Sequence, residues 1–351
     1  MLIEKEKKRY LRHVLLEELG EVGQVKLKHA KVLVIGAGGL GCPVLQYLTA
    51  AGVGKLGIID DDLVDSSNLQ RQILFSEKDV GELKIRAAKK RLQQMNSNIE
   101  IITYNKRLTE KNALHLFSKY DIIVDGSDNF STKYLANDAA VLANKPLVFG
   151  SIFKFEGQVS VFNYQNGPTY RCLFPQPSSS KKMPSCSETG VLGILPGIIG
   201  NLQANEVLKM ILGIGNVLSG KLLLFDTLKM QTLVLPFNRN WEKRDTKLEE
   251  LNFSCESIPI VSVSYQEYLK SPDSFTLLDV RNREERELYS FDGLHIPLPE
   301  LENRYSELAP EDNLLIYCAS GKRSLKAISI LDRLFPEKKI YNLKGGLQKM
   351  K

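Results

Sequence analysis

Long apolar runs are missing from this 351-residue chain. None approaches the ~20 residues that span a bilayer, and the best candidate, around Gly190 to Gly200, is interrupted by Pro196 and by glycines. The N-terminal stretch MLIEKEKKRY is charged at once, which predicts no secretory signal. Cysteines number only five, an odd count, and they are scattered, so a disulfide framework is not expected. These features together predict a reducing, cytoplasmic protein with no membrane segment. Histidine is scarce too: none of His13, His29, His115 and His295 pairs with another at metal-ligand spacing. No G-x-S-x-G elbow is present, so a serine hydrolase has no support. Nor is there a Lys/Arg block interleaved with aromatics to favour nucleic acid.

What is present is an ordinary globular mixture, 43% apolar and 25% charged, which excludes disordered and collagenous chains. At roughly 150 residues per domain the length predicts two domains. The net charge of +6 is unevenly spread. Residues 246–351 hold 15 basic and 17 acidic side chains, so an excess of +8 falls on the remainder. An anionic cofactor or an acidic protein partner accounts for that as well as nucleic acid does.

Short β-branched runs alternate with helix-like stretches from the start. Strands are expected at Lys31–Gly36, Leu56–Asp60, Ile99–Tyr104, Asp121–Asp125 and Pro146–Gly150, with helices at Gly41–Ala51 and Glu82–Met95 and after Thr109. That alternation predicts a parallel sheet covered by helices. From Gln158 the strand pattern becomes antiparallel in character, with a helix over about Gly197–Leu212 and strands at Lys221–Asp226 and Thr232–Pro236. Residues 246–257, in a charged stretch without apolar period, are assigned as a linker. A second α/β alternation occupies residues 258–351, with strands at Pro259–Ser262, Phe275–Val280 and Leu314–Cys318 and a helix from about Arg323.

Gly36-Ala37-Gly38-Gly39-Leu40-Gly41 fits G-x-G-x-x-G between a strand and a helix. Glycines there let backbone N–H groups close on a phosphate at a positively polarised helix end. Asp60 ends the next strand, where an acid accepts hydrogen bonds from ribose hydroxyls. Alone, this pattern suggests a nucleotide, and an NAD-dependent oxidoreductase is the first candidate. Asn68-Leu69-Gln70-Arg71-Gln72, Lys84 and Asp125-Gly126-Ser127-Asp128-Asn129 add cations, amides and a second carboxylate at the same sheet edge. That set suits a triphosphate with a metal ion better than a nicotinamide.

The segments G-A-G-G-L-G, I-I-D-D-D, S-N-L-Q-R-Q and D-G-S-D-N resemble the MoeB/ThiF (HesA) family over roughly Arg9 to Pro236. These are bacterial relatives of the ubiquitin-activating enzymes, and they adenylate the C-terminal glycine of a small ubiquitin-like sulfur carrier such as MoaD or ThiS. The resemblance implies that Gly36, Gly38, Gly39 and Gly41 hold phosphate and Asp60 holds ribose. Asn68, Arg71 and Lys84 would contact the triphosphate, with Asp62, Gln72 and Asn129 also at the nucleotide. Asp128 would support Mg²⁺, and Arg12 would reach the ATP of the other subunit in a homodimer.

The cysteines divide by setting. Cys42, at a helix start, is expected to be buried packing. Cys172 follows Thr169 where the family usually has C-Y-R-C, and no second C-x-x-C follows around NRNWEKRD. Three of four family ligands are absent, so no zinc is expected; Trp241 is a candidate to help fill the space. Cys186 resembles a cysteine that some family members link covalently to the activated carrier. Cys318 opens C-A-S-G-K-R-S directly after a buried strand, so successive N–H groups can point at its sulfur. That loop, Cys318, Ala319, Ser320, Gly321, Lys322 and Arg323, resembles the active loop of a rhodanese domain, as do Asp279-Val280-Arg281 and Gly345-Gly346-Leu347. It is one residue shorter than the related phosphatase loop and suits a persulfide sulfur. The segment Phe291–Pro297 is shorter than the family's usual G-x-I-x-G-A stretch.

The expectation is therefore a Rossmann-like adenylating domain with an antiparallel extension, residues 1–245, followed by a small α/β rhodanese domain. It would use Mg·ATP to adenylate a sulfur carrier, and a Cys318 persulfide, loaded by a donor such as a cysteine desulfurase, would then make the thiocarboxylate, in molybdopterin or thiamine type biosynthesis. A ubiquitin-like conjugating activity without sulfur transfer shares the first step, and a non-catalytic binding module is the third alternative to set beside the oxidoreductase.

Overall fold

The computed structural model describes residues 1–175, 190–240, 261–289, 291–308, 312–335 and 338–349. The chain divides into two compact units, Met1–Leu251 and Asn252–Lys351. The expected linker 246–257, together with Cys186, Trp241 and Cys255, lies outside the described residues.

The first unit is built on eight strands: β1 Lys31–Ile35, β2 Lys55–Ile59, β3 Glu100–Tyr104, β4 Ile122–Asp125, β5 Leu147–Phe153, β6 Glu156–Phe162, β7 Lys221–Asp226 and β8 Gln231–Pro236. Their spatial order is β3-β2-β1-β4-β5-β6-β7-β8. The first five are mutually parallel, and from β5 to β8 each pair is antiparallel. This is the Rossmann-like sheet with its antiparallel extension. The chain leaves β1 for β2 on one side and reaches β4 on the other, so a topological switch point lies between β1 and β4. Register aligns the carboxyl ends there: Ile35 sits opposite both Ile59 and Asp125. That alignment brings together three loops far apart in sequence.

Local chemistry explains the flanking elements. The helix Gly41–Ala51 accepts Pro43 because a first-turn residue needs no N–H partner, and it stops at Gly52, whose φ of 84° is left-handed. The helix Lys84–Met95 turns Ile85, Ala87, Ala88 and Leu92 inward. The helix expected from Gly197 begins at Ile194, three residues earlier. Pro196 falls in its first turn and so does not break it.

The second unit is a five-stranded parallel sheet of β9 Val261–Val263, β10 Thr276–Asp279, β11 Leu294–His295, β12 Asn313–Tyr317 and β13 Lys339–Leu343, in the order β11-β10-β12-β13-β9. Leu314, Leu315, Ile316 and Tyr317 are fully buried, as befits a central parallel strand. Cys318 follows that strand and the helix Lys322–Leu334 follows Cys318. No helix among the described residues is long and apolar enough to cross a membrane.

Candidate functional site

The glycine loop is shaped by contacts that no side chain would permit. Gly36 has φ 85° and donates its N–H to Ile59 O at 2.8 Å. A Cβ on Gly41 would lie 2.0 Å from Gly36 O, so the loop-to-helix turn closes only over glycine. Asp60 braces the loop from the side. Its Oδ2 accepts the Ala37 N–H at 2.8 Å and its Oδ1 accepts the Asp62 N–H at 2.8 Å. Burial pushes the Asp60 carboxyl above the ordinary carboxylate value, and Lys84 only partly offsets this.

The N-L-Q-R-Q segment comes back over the same loop. A Cβ on Gly39 would be 3.7 Å from Arg71 Cγ, and one on Gly38 would be 3.9 Å from Gln72 Nε2. Arg71 Nη1 donates to Ser67 O at 3.0 Å. Asn68 Oδ1 accepts the Asp65 N–H at 3.3 Å. Gln72 is buried, yet its Oε1 has no hydrogen-bond partner. A buried amide oxygen left bare costs ~1–3 kcal/mol; as an acceptor it takes a donor such as water or a hydroxyl, whereas what suits a phosphate is the close backbone approach that the glycines permit at the start of the helix Gly41–Ala51. The cradle thus fits a nucleotide phosphate.

The third loop follows β4. Asp125 is fully buried and fully engaged: its Oδ1 accepts from Ser127 N–H and Oγ at 2.9 and 2.6 Å, and its Oδ2 pairs with Lys133 Nζ at 3.1 Å. Lys133 also donates to Ser127 O and Gly150 O, each at 2.9 Å. Pinned in this way, the loop leaves Asp128 as its exposed carboxylate. Asn129 Oδ1 caps the helix Phe130–Leu142 by accepting the Thr132 N–H at 2.9 Å. Lys84 and Asp62, both assigned to the nucleotide from sequence, meet each other at 2.8 Å. Arg12 stands apart, exposed on the short helix Leu11–Val14.

Two cysteines of this unit have clear settings. Burial pushes the Cys42 thiol up to about 12, as expected for packing. Cys172 Sγ accepts the Thr169 N–H at 3.4 Å and the Asn240 N–H at 3.3 Å, and Thr169 Oγ1 lies 3.4 Å away. Burial opposes the thiolate there, but those contacts outweigh it and lower its pKa. One sulfur ringed by donors cannot supply a tetrahedral set. The described residues at this place do not fit a zinc ion.

In the second unit, Cys318 is buried, and the Gly321 N–H points at its Sγ from 3.2 Å. Gly321, at φ 88°, turns the loop into the helix Lys322–Leu334. The Gly345-Gly346 turn packs beneath it: a Cβ on Gly346 would be 2.2 Å from Cys318 O, whose carbonyl accepts the Leu347 N–H at 3.0 Å. Burial alone would raise the thiol, yet the N–H groups of Ser324, Ser320 and Arg323, with the Ser324 hydroxyl, hold it below its ordinary value.

Sequence reasoning missed three supports of this loop. Ser324 Oγ lies 2.9 Å from Gly321 O and 2.7 Å from Asn342 Oδ1, either of which can accept its one proton. Arg323 makes a bidentate pair with Glu285, at 2.5 and 2.6 Å, which holds the Glu285 carboxyl down at about 2. Backbone donors thus lead the thiolate stabilisation, and the Arg323 guanidinium is shared between the Glu285 carboxylate and Cys318. Asp279 and Arg281 form a buried ion pair, 2.7 Å from Nη2 to Oδ2, and Arg281 Nη2 also donates to Tyr289 O at 2.9 Å. His295 Nε2 lies 2.9 Å from Arg281 O, so these three residues support the fold beside the loop.

A glycine cradle at the switch point of one α/β sheet and a thiolate loop at the end of a second define a nucleotide-binding enzyme joined to a sulfur-handling domain. Family models give the same division, ThiF family over residues 10–248 and Rhodanese-like domain over residues 264–351. The chain belongs to the ThiF family and carries a rhodanese-like domain. Among its relatives, a "Sulfur carrier protein adenylyltransferase" of Thermus thermophilus is 52% identical, covering 66% of this chain and 88% of its own. A "Probable adenylyltransferase/sulfurtransferase MoeZ" of Mycobacterium tuberculosis is 40% identical over 97% of this chain and 91% of its own. Among solved structures, E. coli MccB with MccA-N7isoASN matches with a TM-score of 0.60 at 25% identity, over 67% of this chain and 72% of that one.

Proposed function

We propose that the first unit adenylates the C-terminal glycine of a ubiquitin-like sulfur carrier of MoaD/ThiS type, and that Cys318 then delivers sulfur to it as a persulfide. The reading rests on one observation: a single chain holds both a glycine cradle at a helix start and a buried thiol whose pKa backbone donors lower. Its relatives are named for both activities.

A carboxylate cannot acylate a thiol directly, because oxide is a poor leaving group. Attack by the carrier's carboxylate on the α-phosphorus of ATP forms an acyl-adenylate and releases pyrophosphate. The loop Gly36–Gly41 and the start of the helix Gly41–Ala51 offer N–H groups to the phosphates, and Arg71 neutralises charge that builds during transfer. Asp60 accepts from the ribose hydroxyls with lone pairs left over from Ala37 and Asp62. Asp128 would hold Mg²⁺, which would share the phosphate charge. Arg12 would act on the ATP of a second copy of the chain, and the donor loading Cys318 would be a persulfide enzyme such as a cysteine desulfurase.

The Cys318 persulfide then attacks the acyl carbon, AMP leaves, and an acyl disulfide joins carrier to Cys318. A two-electron reduction by thiols cleaves the S–S bond and frees the carrier thiocarboxylate and the Cys318 thiolate. Joining the two activities in one chain raises the local concentration of persulfide near a water-sensitive intermediate. ATP–pyrophosphate exchange with carriers ending in Gly-Gly tests the first half: carrier-dependent exchange is expected, and its absence with every carrier would overturn the reading.

A further inference from the structure

The strongest unassigned feature is the Glu285–Arg323 pair. Arg323 lies near enough to Cys318 for the thiolate to act on its guanidinium, yet both its Nη atoms are held by Glu285. Arg281, another cation of this domain, is committed to Asp279. The thiolate, the guanidinium and the carboxylate together carry one negative charge, so Glu285 offsets the positive charge that Arg323 brings to the loop.

We propose that Glu285 is a specificity-determining residue of the sulfur-loading step, which cancels the Arg323 charge so that Cys318 discriminates against anionic small-molecule sulfur donors and favours persulfide sulfur carried on a neutral or protein thiol. The inference rests on the persulfide reading of Cys318.

The two loading reactions differ in charge. From a persulfide, the Cys318 thiolate attacks the outer sulfur, the S–S bond breaks, and the donor leaves as a thiolate while Cys318 gains the sulfur and its proton. From thiosulfate, the thiolate attacks the sulfane sulfur and sulfite leaves with the bonding pair. The second reaction brings a dianion against the mouth, and the first does not. Removing one negative charge ~6 Å from a dianion in a water-like medium should improve its binding about tenfold.

The test measures persulfide formation on Cys318 in the full chain by intact mass and cyanolysis, at a pH where the thiol is ionised. Thiosulfate and a neutral alkyl hydropersulfide serve as donors. Glu285→Gln is expected to lower KM for thiosulfate about tenfold while the neutral donor's KM stays within about twofold. Glu285→Asp, which keeps the charge, is expected to retain the wild-type preference. Arg323→Met deepens the negative field and is expected to raise KM for thiosulfate, so the order across variants is informative even if Glu285→Gln folds poorly. Equal effects on both donors, or an unchanged thiosulfate KM, would reduce Glu285 to a structural brace and overturn the inference. Failure of both donors to load wild-type Cys318 would overturn the persulfide reading itself, and this inference with it.

Discussion

Replacing Asp60 by Asn probes the nucleotide site with little change in shape. The carboxylate accepts two backbone N–H groups, from Ala37 and Asp62, each at 2.8 Å. An amide offers one acceptor oxygen and turns an NH₂ toward the other N–H, so one charge-assisted bond, worth ~1.5–3 kcal/mol, is lost. Ala37 sits inside the phosphate loop, and the ribose would meet the same altered group. Asp60→Asn should therefore raise KM for ATP roughly 10- to 150-fold in ATP–pyrophosphate exchange. Partial rearrangement should limit the stability loss to ~1 kcal/mol, about 2–4 °C in Tm for a unit of this size. The wild type carries a further signature. Burial holds the Asp60 carboxyl above the ordinary carboxylate value, so the group protonates at a higher pH than an exposed acid. The acid-side rise in KM for ATP should therefore begin above the ordinary carboxylate range, and Asp60→Asn should abolish it. A KM within about threefold of wild type, with the acid-side rise intact, would refute the placing of ribose and loop on Asp60.

Three further outcomes follow from the same geometry. Gly41→Ala forces a Cβ to 2.0 Å from Gly36 O, so it should cost more than ~2 kcal/mol in a denaturant melt and abolish exchange; a wild-type melt would contradict the closed turn. Cys318→Ser should leave carrier-dependent exchange unchanged and eliminate the sulfur-bearing product by mass, because adenylation does not use that thiol. Glu285 has its folded-state pKa lowered to about 2 from an ordinary 4.5, so its contribution is complete above the unfolded value and is lost as pH falls between these two. With solvent screening that contribution is ~1 kcal/mol, and Glu285→Gln should flatten the corresponding part of the acid stability profile.

Much of the site is legible in the sequence because each loop carries its own signature. The glycine loop, Asp60 and Arg71 are recognisable where they stand, and parallel register through Ile35, Ile59 and Asp125 brings their loops to one edge. What sequence does not reveal is pairing across loops. Lys84 and Asp62 each look like nucleotide ligands, but only three dimensions show them 2.8 Å apart. Glu285 lies 38 residues before Arg323 and carries no motif of its own; an acid four residues after Arg281 was the available clue. Weak elements also escape notice: β11 is two residues long, and β13 is hidden in a charged context, KIYNL directly after Glu337 and Lys338 in the sequence. The helix Ile194–Leu212 starts earlier than expected because proline is a barrier only beyond the first turn.

The central claim is that one chain both activates a carrier's terminal carboxylate and replaces one of its oxygens with sulfur. Intact mass spectrometry tests it most directly. A Gly-Gly carrier would be incubated with Mg·ATP, a thiol reductant and chain whose Cys318 has been loaded as persulfide. The account predicts a carrier heavier by the exchange of one oxygen for one sulfur, formed only when ATP is present, slowed at sub-saturating ATP in Asp60→Asn and lost in Cys318→Ser. A carrier that is adenylated and then joined to lysines without gaining sulfur, or one whose mass never changes, would contradict it.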